Sequence, residues 1–238
     1  MSIDSVRALT FDVFGTVVDW RTSIIRQLRE FGMKHGVDTD WETFADDWRY
    51  DGYIGGMGRV RKGELPFQRA GELHRLKLDA LLSERGIEGI PEGEVSNLNR
   101  AWHRLDPWPD SVEGLQRLRK RFIVSTLSNG EMRLLVDMAK FGGLEWDCVL
   151  SAETTGAYKP DPQCYRRAIE FLGCEPHEVM MVAAHKGDLK AAQGQGMQAA
   201  FIPRPHEAGP DRPVDLVPDP AFQLWADGLV ELATKLGC

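Results

Sequence analysis

Short apolar runs recur along the chain, each bounded by polar or glycine-containing segments. The five runs lie at residues 6–14, 119–127, 148–151, 179–184 and 199–202, and the second begins with charged residues. Runs this short and this apolar are typical of strands that are buried on both faces, as in a parallel sheet. We therefore predict five core strands.

Helical spacing fills the intervals between these strands. Between the third and fourth predicted strands, for example, apolar residues recur at i, i+3, i+4 and i+7. They are Tyr165, Ala168, Ile169 and Leu172. Residues at this spacing share one face of a helix. Strands and helices that alternate from Ser111 onward predict an α/β fold, a doubly wound parallel sheet with helices on both faces.

The segment from Trp20 to Leu105 breaks the alternation. It has no convincing strand pattern, and its apolar residues, among them Leu28 and Leu73, are spaced as in helices. We predict a helical domain at residues 20–105, inserted into a core domain made of residues 1–19 and 106–238.

Two short segments, one within residues 20–105 and one at its end, have a distinctive composition. Residues 105–110 contain two prolines, which prevent a continuous helix, so they are interpreted as the linker back to the core. Residues 55–58 read GGMG, but they follow no predicted strand and precede no Lys-Ser or Lys-Thr pair. We expect a flexible turn there and not a phosphate-binding loop.

Length and composition narrow the class of protein. The 238 residues suffice for one large domain or a domain with an insertion. Hydrophobic residues make up 42% of the chain, too many for a disordered protein, and the net charge of −7 argues against general nucleic-acid binding. With no signal peptide and no apolar run of about 18 residues, we expect a soluble cytoplasmic protein that does not bind membranes. The four cysteines form no CxxC pair and are expected to be reduced.

Polar side chains stand at the carboxyl ends of four predicted strands. In chain order they are Asp12, Ser128 with Asn129, Lys159, and His185 with Asp188. Because the carboxyl ends of parallel strands meet at the edge where open α/β sheets bind ligands, we expect these groups to converge. One aspartate at a strand end is usually a turn residue, but four such ends in succession are hard to attribute to chance.

Four short motifs around these residues resemble, in order, the motifs of the haloacid dehalogenase superfamily. FDVFGT resembles the nucleophile motif, SNG the second, YKPDP the third and the acidic end of AAHKGD the fourth. The resemblance covers essentially the whole chain, including a helical cap inserted after the first strand. It implies a Rossmann-like α/β core with Asp12 as the nucleophile.

Two departures separate the chain from the phosphatases of that superfamily. Those enzymes carry an aspartate two residues after the nucleophile to protonate an alkoxide, where this chain has Phe14. They hold magnesium with a Gly-Asp pair where this chain has Ala183 and Ala184, and losing a carboxylate weakens a site for a hard cation. Because a halide leaves without protonation, the pattern looks like that of the type II 2-haloacid dehalogenases, with no metal and no cofactor.

The resemblance implies two-step covalent catalysis on short 2-haloacids such as haloacetates. The Asp12 carboxylate displaces halide and forms an ester, which water then hydrolyses to release a 2-hydroxy acid. Lys159 is expected to keep Asp12 charged and oriented, and Asp188 is the expected base for the water. Arg49, in a Trp-Arg pair of the cap, is expected to stabilise the departing halide.

The expected substrate-binding residues are Thr16, Phe14, Ser128, Asn129, Tyr165 and His185. Ser128 and Asn129 would bind the substrate carboxylate. Tyr165 stands six positions after Lys159, as in the family, and either orders the pocket wall or packs in a helix core. His185 stands where the family more often has Asn. It either makes structural hydrogen bonds or donates to the leaving halide, and in the second case fluoroacetate would also be a substrate.

Two other functions stay open at this point. A phosphatase is disfavoured by Phe14 and Ala184, and a phosphonatase is disfavoured because this chain lacks the nucleophile-plus-alanine motif that is typical of that family. A catalytically silent binding protein is disfavoured because Asp12, Lys159 and Asp188 are all present. A homodimer is an expectation from the resemblance alone.

Overall fold

The computed structural model describes residues 3–210 and 212–238. The chain divides into two compact units. The first comprises Met1–Asp19 and Asp106–Cys238, and the second comprises Trp20–Leu105. Among the described residues, none of the helices is both long enough and apolar enough to serve as a membrane span. All four cysteines are free thiols.

A six-stranded sheet lies at the centre of the first unit. The described strands are β1 (Ala8–Phe11), β2 (Val18–Asp19), β3 (Asp106–Pro107), β4 (Ile123–Ser128), β5 (Cys148–Ser151), β6 (Val179–Ala183), β7 (Gln198–Phe201) and β8 (Leu224–Trp225). The order across the sheet is β5-β4-β1-β6-β7-β8, and every neighbouring pair is parallel. β2 and β3 form a separate antiparallel pair. The predicted parallel sheet is confirmed.

Helices make up most of the remaining regular structure. The second unit contains α1 (Trp20–His35), α2 (Trp41–Asp47), α3 (Gly55–Arg61), α4 (Ala70–Glu84) and α5 (Glu92–Asn99). The first unit contains α6 (Ser111–Leu118), α7 (Met132–Gly142), α8 (Ala152–Thr155), α9 (Pro162–Leu172), α10 (Lys186–Gln193) and α11 (Leu229–Lys235). A π-helical segment spans Trp48–Ile54, and short 3₁₀ helices span Ile3–Ser5, Arg100–His103 and Pro176–Glu178.

Burial explains why the central strands are almost wholly apolar. Every residue of β1, β6 and β7 is buried, so both faces of these strands are covered. On one face Met181 and Ala199 belong to a core cluster that also contains Tyr165 and Ile169 of α9 and Leu189 of α10. Removing apolar surface from water in this way is the main force that holds the sheet and helices together.

α9 shows how the sequence sets the position of a functional helix. Asp161 caps its first turn by accepting from Gln163 N at 2.8 Å, and Pro162 occupies the first helical position, where it needs no hydrogen bond. Gly173 ends the helix in the left-handed conformation, with φ of 62°. The face that the apolar spacing predicts is buried and carries Tyr165.

The described second unit is helical throughout, as its apolar spacing predicts. The expectation of a flexible turn at residues 55–58 is wrong, since these residues begin α3. A Cβ atom on Gly56 would lie 2.8 Å from Leu73 Cδ2, and one on Gly52 would lie 2.5 Å from Lys77 Cβ. These glycines therefore allow the π-helical segment and α3 to approach α4 closely.

The linker after the insertion is more ordered than its two prolines suggest. Its residues Asp106 and Pro107 form β3 and pair with β2. Beyond them, Trp108 Nε1 donates to Gly15 O at 2.9 Å, and the Ser111 hydroxyl donates to Val17 O at 2.7 Å. The linker thus supports the loop that follows β1.

Candidate active site

The segment after β1 turns sharply and carries three of the predicted residues, Asp12, Phe14 and Thr16. Asp12 N donates to Val182 O of the adjacent β6 at 3.0 Å, which fixes Asp12 at the carboxyl edge of the sheet. Gly15 has φ of 85°, in the region that favours glycine. The turn directs the Thr16 hydroxyl back to Asp12 Oδ2, to which it donates at 2.9 Å.

The Asp12 carboxylate is buried, and both of its oxygens have polar partners. Oδ1 lies 3.2 Å from Lys159 Nζ, and Oδ2 lies 2.9 Å from His185 Nδ1. Burial raises the pKa of Asp12, but the Lys159 ammonium and the His185 imidazole lower it by more, so the net pKa lies well below its usual range. Asp12 is therefore ionised at neutral pH, which is the state a carboxylate nucleophile needs.

Lys159 joins Asp12 to a second carboxylate. Its Nζ contacts Asp188 Oδ2, while the Tyr165 hydroxyl donates to Asp188 Oδ1 at 2.6 Å. Burial lowers the pKa of Lys159, but the two carboxylates raise it by more and keep the ammonium charged. Burial, opposed by Lys159 and reinforced by Asp12, raises the pKa of Asp188. Tyr165 packs in the helix core and also holds Asp188 in place.

Asn129, the first residue after β4, supports the backbone of Lys159. Asn129 Oδ1 accepts from Lys159 N at 2.7 Å, and Asn129 Nδ2 donates to Lys159 O at 3.2 Å. The Ser128 hydroxyl oxygen accepts from Gly130 N at 3.1 Å. The side chain of Asn129 therefore fixes the backbone of Lys159, a role that its motif did not indicate.

A fifth strand end contributes Glu207, which the sequence analysis missed. Its Oε1 lies 2.9 Å from His185 Nε2, and its Oε2 lies 3.1 Å from the same nitrogen. The imidazole therefore lies between two carboxylates, Asp12 at Nδ1 and Glu207 at Nε2. Partial desolvation lowers the pKa of His185, but the hydrogen bonds to these carboxylates raise it to about 10. The imidazole is protonated at neutral pH.

The position of Glu207 depends on an ion pair in the loop after β7. Arg204 contacts both carboxylate oxygens of Asp110, at 2.7 and 2.9 Å, and its Nε donates to Thr16 O at 2.9 Å. Glu207 N then donates to Arg204 O at 3.2 Å. A Cβ atom on Gly15 would lie 1.9 Å from Glu207 Oε1, so the Glu207 carboxylate requires a glycine there. Extending the strand-end rule to β7 would have directed attention to this loop.

Arg49 lies in the second unit, on the π-helical segment, and is described within that unit. It is buried, and its guanidinium carbon lies 5.3, 5.1 and 6.0 Å from the ring centroids of Trp20, Tyr53 and Trp102. Aromatic faces attract a cation at these distances. Arg49 is thus not a solvated surface residue, which is the usual state of an arginine in a helix of mixed charge.

The structure brings together most of the predicted residues of the first unit. One network of hydrogen bonds and ion pairs connects Asp12, Thr16, Lys159, Tyr165, His185 and Asp188. Asn129 joins it through the backbone of Lys159, and Ser128 precedes Asn129 at the end of β4. Phe14 is buried on the loop that follows Asp12, near Gly130. The expected convergence at the carboxyl edge is therefore present.

Comparison with known families agrees with this arrangement. Residues 6–196 match the haloacid dehalogenase-like hydrolase family. The chain belongs to the haloacid dehalogenase-like hydrolases. The resemblance that the four motifs indicated is confirmed.

Relatives of this haloacid dehalogenase-like hydrolase include two bacterial enzymes. It is 30% identical over 207 residues to (S)-2-haloacid dehalogenase 4A of Burkholderia cepacia, covering 85% of each chain. It is 28% identical over 206 residues to (S)-2-haloacid dehalogenase 1 of Pseudomonas sp. (strain CBS-3), covering 85% of this chain and 86% of the relative.

Two solved structures resemble this haloacid dehalogenase-like hydrolase over almost its full length. The defluorinating L-2-haloacid dehalogenase Rha0230 shares 44% identity with a TM-score of 0.94, covering 98% of this chain and 96% of that chain. The L-2-haloacid dehalogenase PA0810 shares 41% identity with a TM-score of 0.91, covering 98% of this chain and 100% of that chain.

Proposed function

We propose that this enzyme is a hydrolytic dehalogenase of short 2-haloalkanoic acids, which it converts to 2-hydroxy acids and halide. The observation that carries the proposal is the buried, ionised Asp12 carboxylate held by Lys159 at the carboxyl edge of the sheet. Similarity to proteins named 2-haloacid dehalogenases supports the same reaction. The hydrolysis breaks a carbon–halogen bond.

The first step is nucleophilic displacement. An oxygen of Asp12 attacks the carbon that bears the halogen, and the halide departs with the electron pair of the broken bond. Because its pKa lies below the usual range, Asp12 needs no base for this attack. A halide is a weak base and leaves without a proton. This fits Phe14, because a phenylalanine side chain cannot donate one. The product of this step is an ester on Asp12.

The second step is hydrolysis of that ester at the carboxyl carbon of Asp12. The attacking water must lose a proton, so a base must lie beside Asp12. Two side chains are candidates, Asp188 from the sequence analysis and His185 from the geometry. Water attack releases the 2-hydroxy acid and restores the Asp12 carboxylate.

The remaining assignments concern binding. We assign the Ser128 hydroxyl and an amide N–H of Asn129 to the substrate carboxylate, because both residues stand at the same sheet edge as Asp12. We assign Arg49 to the departing halide on the strength of its motif and its aromatic surroundings. The unit at residues 20–105 is then the cap, and residues 1–19 and 106–238 form the catalytic core. A cytoplasmic homodimer is part of the same proposal.

Fluoroacetate is included among the proposed substrates. Fluoride is the most basic halide and gains most from a close hydrogen-bond donor. The Nδ1–H of His185, which loses its carboxylate partner as Asp12 becomes an ester, is such a donor, and the chain is 44% identical to a defluorinating L-2-haloacid dehalogenase.

A halide-release assay tests the proposed function. The purified protein is incubated with chloroacetate, fluoroacetate or p-nitrophenyl phosphate. Each substrate is tested in two separate mixtures, one with excess chelator and one with added magnesium. We expect steady halide release that the chelator does not affect and no phosphate release. Phosphate release that needs magnesium, without halide release, would identify a phosphatase. Inactivity on all three substrates would favour a binding protein.

A further inference from the structure

The imidazole of His185 bridges two buried carboxylates. The Asp12 and Glu207 side chains are 10% and 9% exposed, whereas the His185 side chain is 43% exposed. A neutral imidazole has one N–H, so two carboxylate partners, at Nδ1 and at Nε2, require a second proton on the ring. The arrangement of nucleophile, imidazole and carboxylate is the one in which an imidazole acts as a base.

We propose that His185, oriented by Glu207, is the base that activates water for hydrolysis of the Asp12 ester. The proposal rests on the proposed function and deepens it by assigning the second step. His185 is a catalytic residue because its Nδ1 contacts Asp12 Oδ2, part of the reacting carboxyl group, at 2.9 Å. Glu207 is a positioning residue that acts through His185.

Both carboxylate oxygens of Asp188, the alternative base, already have polar partners. One of its oxygens contacts Lys159 Nζ, and the other accepts from the Tyr165 hydroxyl at 2.6 Å. These contacts make Asp188 the anchor that keeps Lys159 charged and in place beside Asp12. His185, in contrast, contacts the Asp12 carboxylate directly. A water bound to Nδ1 after the ester has formed would lie within reach of the Asp12 carboxyl carbon.

Proton balance is consistent with this role. Ester formation neutralises Asp12, so one of the two carboxylates that hold the imidazolium is lost. The exposed ring then releases its Nδ1 proton to solvent as the halide departs. This is the one proton that hydrolysis of a carbon–halogen bond releases overall. His185 is left neutral, with Nε2–H directed at Glu207 and a lone pair on Nδ1.

The hydrolysis restores every group to its starting state. Nδ1 takes a proton from water while the water oxygen bonds to the Asp12 carboxyl carbon. The bond from that carbon to the substrate oxygen then breaks, and the leaving alkoxide takes the proton of the new carboxyl hydroxyl. The 2-hydroxy acid departs, Asp12 is a carboxylate again, and His185 is again an imidazolium.

Glu207 selects the tautomer that this scheme requires. By accepting from Nε2 it holds the proton there and leaves Nδ1 as the basic nitrogen. Arg204 fixes the loop that carries Glu207 through contacts to Asp110 and to Thr16 O. The orienting carboxylate is therefore tied to the nucleophile loop itself.

The decisive experiment separates ester formation from ester hydrolysis by rapid quench and intact-protein mass spectrometry. The variant is His185→Asn, because the Asn amide can donate from the position of Nδ1 but cannot take a proton. We expect one equivalent of halide per active site, followed by hydrolysis slowed about 10²–10⁴-fold. The protein should gain the mass of one carboxymethyl group, located on Asp12.

Two substrates and two further variants sharpen the test. Chloroacetate and fluoroacetate give the same ester, so the slowed hydrolysis must have the same rate constant with either. Glu207→Gln should slow hydrolysis by about 10–10²-fold and leave ester formation within a few-fold of wild type. His206→Asn, at an exposed histidine beside Glu207, should change neither step.

The outcomes distinguish this proposal from the proposed function. Near-normal turnover of His185→Asn, or loss of its initial halide release, would overturn the assignment of His185 as base and leave the dehalogenase intact. A wild-type protein that releases no halide from any haloacid would overturn the proposed function, and with it this inference.

Discussion

Lys159 Nζ lies 3.2 Å from Asp12 Oδ1 and also contacts Asp188 Oδ2, so one buried ammonium serves two buried carboxylates. Asp12 and the Lys159–Asp188 pair thus come from segments far apart in the sequence. The ammonium lowers the pKa of Asp12, and the carboxylates raise that of Lys159, so both groups stay charged.

Lys159→Met should abolish turnover and destabilise the fold. Removing the ammonium leaves two buried carboxylates without their shared cation, which typically costs about 3–5 kcal/mol. Urea unfolding measures the loss, and halide release measures the activity. Lys190→Met is the control, because Lys190 is 61% exposed and its ion pair with Asp219 should contribute about 0–1 kcal/mol. Equal unfolding free energies for the two variants would contradict the claim that Lys159 stabilises two buried carboxylates.

His185 should make stability depend on pH in the alkaline range. Its pKa is raised from 6.5 to about 10 in the folded protein, so its contribution is complete below 6.5 and is lost as the pH rises through about 10. The unfolding free energies of wild type and His185→Asn should therefore differ most at the lower end of this range and converge at the upper end. A difference that stays constant across the range would show that His185 is not held as a cation.

Arg49→Met should slow ester formation by about 10²–10³-fold. A guanidinium at the departing halide stabilises charge that develops mainly in the transition state, and such groups commonly contribute this much. Single-turnover halide release from chloroacetate measures the step. Arg59→Met, at a 59% exposed arginine of the same unit, is the control. If both variants keep wild-type rates, Arg49 has no role at the halide.

The parallel sheet was predictable because its central strands β1, β6 and β7 are buried on both faces and read as mostly apolar runs. β5 was predicted at its observed bounds, but β1 is shorter than the run at residues 6–14, because the chain leaves the sheet and turns at Asp12. β2, β3 and β8 were missed, since two-residue strands carry no periodicity. The helix at residues 55–58 was not predicted because the packing partner of Gly56, Leu73, lies on α4, far away in the sequence.

The candidate site was predictable where a residue stands at the end of a recognisable strand. Asp12, Lys159 and Asp188 meet as expected for that reason. Glu207 was missed because the loop after β7 carries none of the four motifs, and the Arg204–Asp110 ion pair that places this loop joins residues far apart in the sequence. The burial of Arg49 depends on rings from distant segments, which no local pattern reveals.

The covalent role of Asp12 is the central claim, and a single turnover in heavy-oxygen water tests it most directly. Enzyme in excess over chloroacetate is allowed to react once, and the peptide that contains Asp12 and the glycolate product are weighed separately. Water attack on the ester carbonyl places heavy oxygen in the Asp12 carboxylate and leaves the product hydroxyl unlabelled. Asp12→Asn, which lacks the nucleophile, should neither release halide nor take up label. Heavy oxygen in the product hydroxyl with none in Asp12 would mean that water attacks the substrate directly, and the covalent account would be wrong.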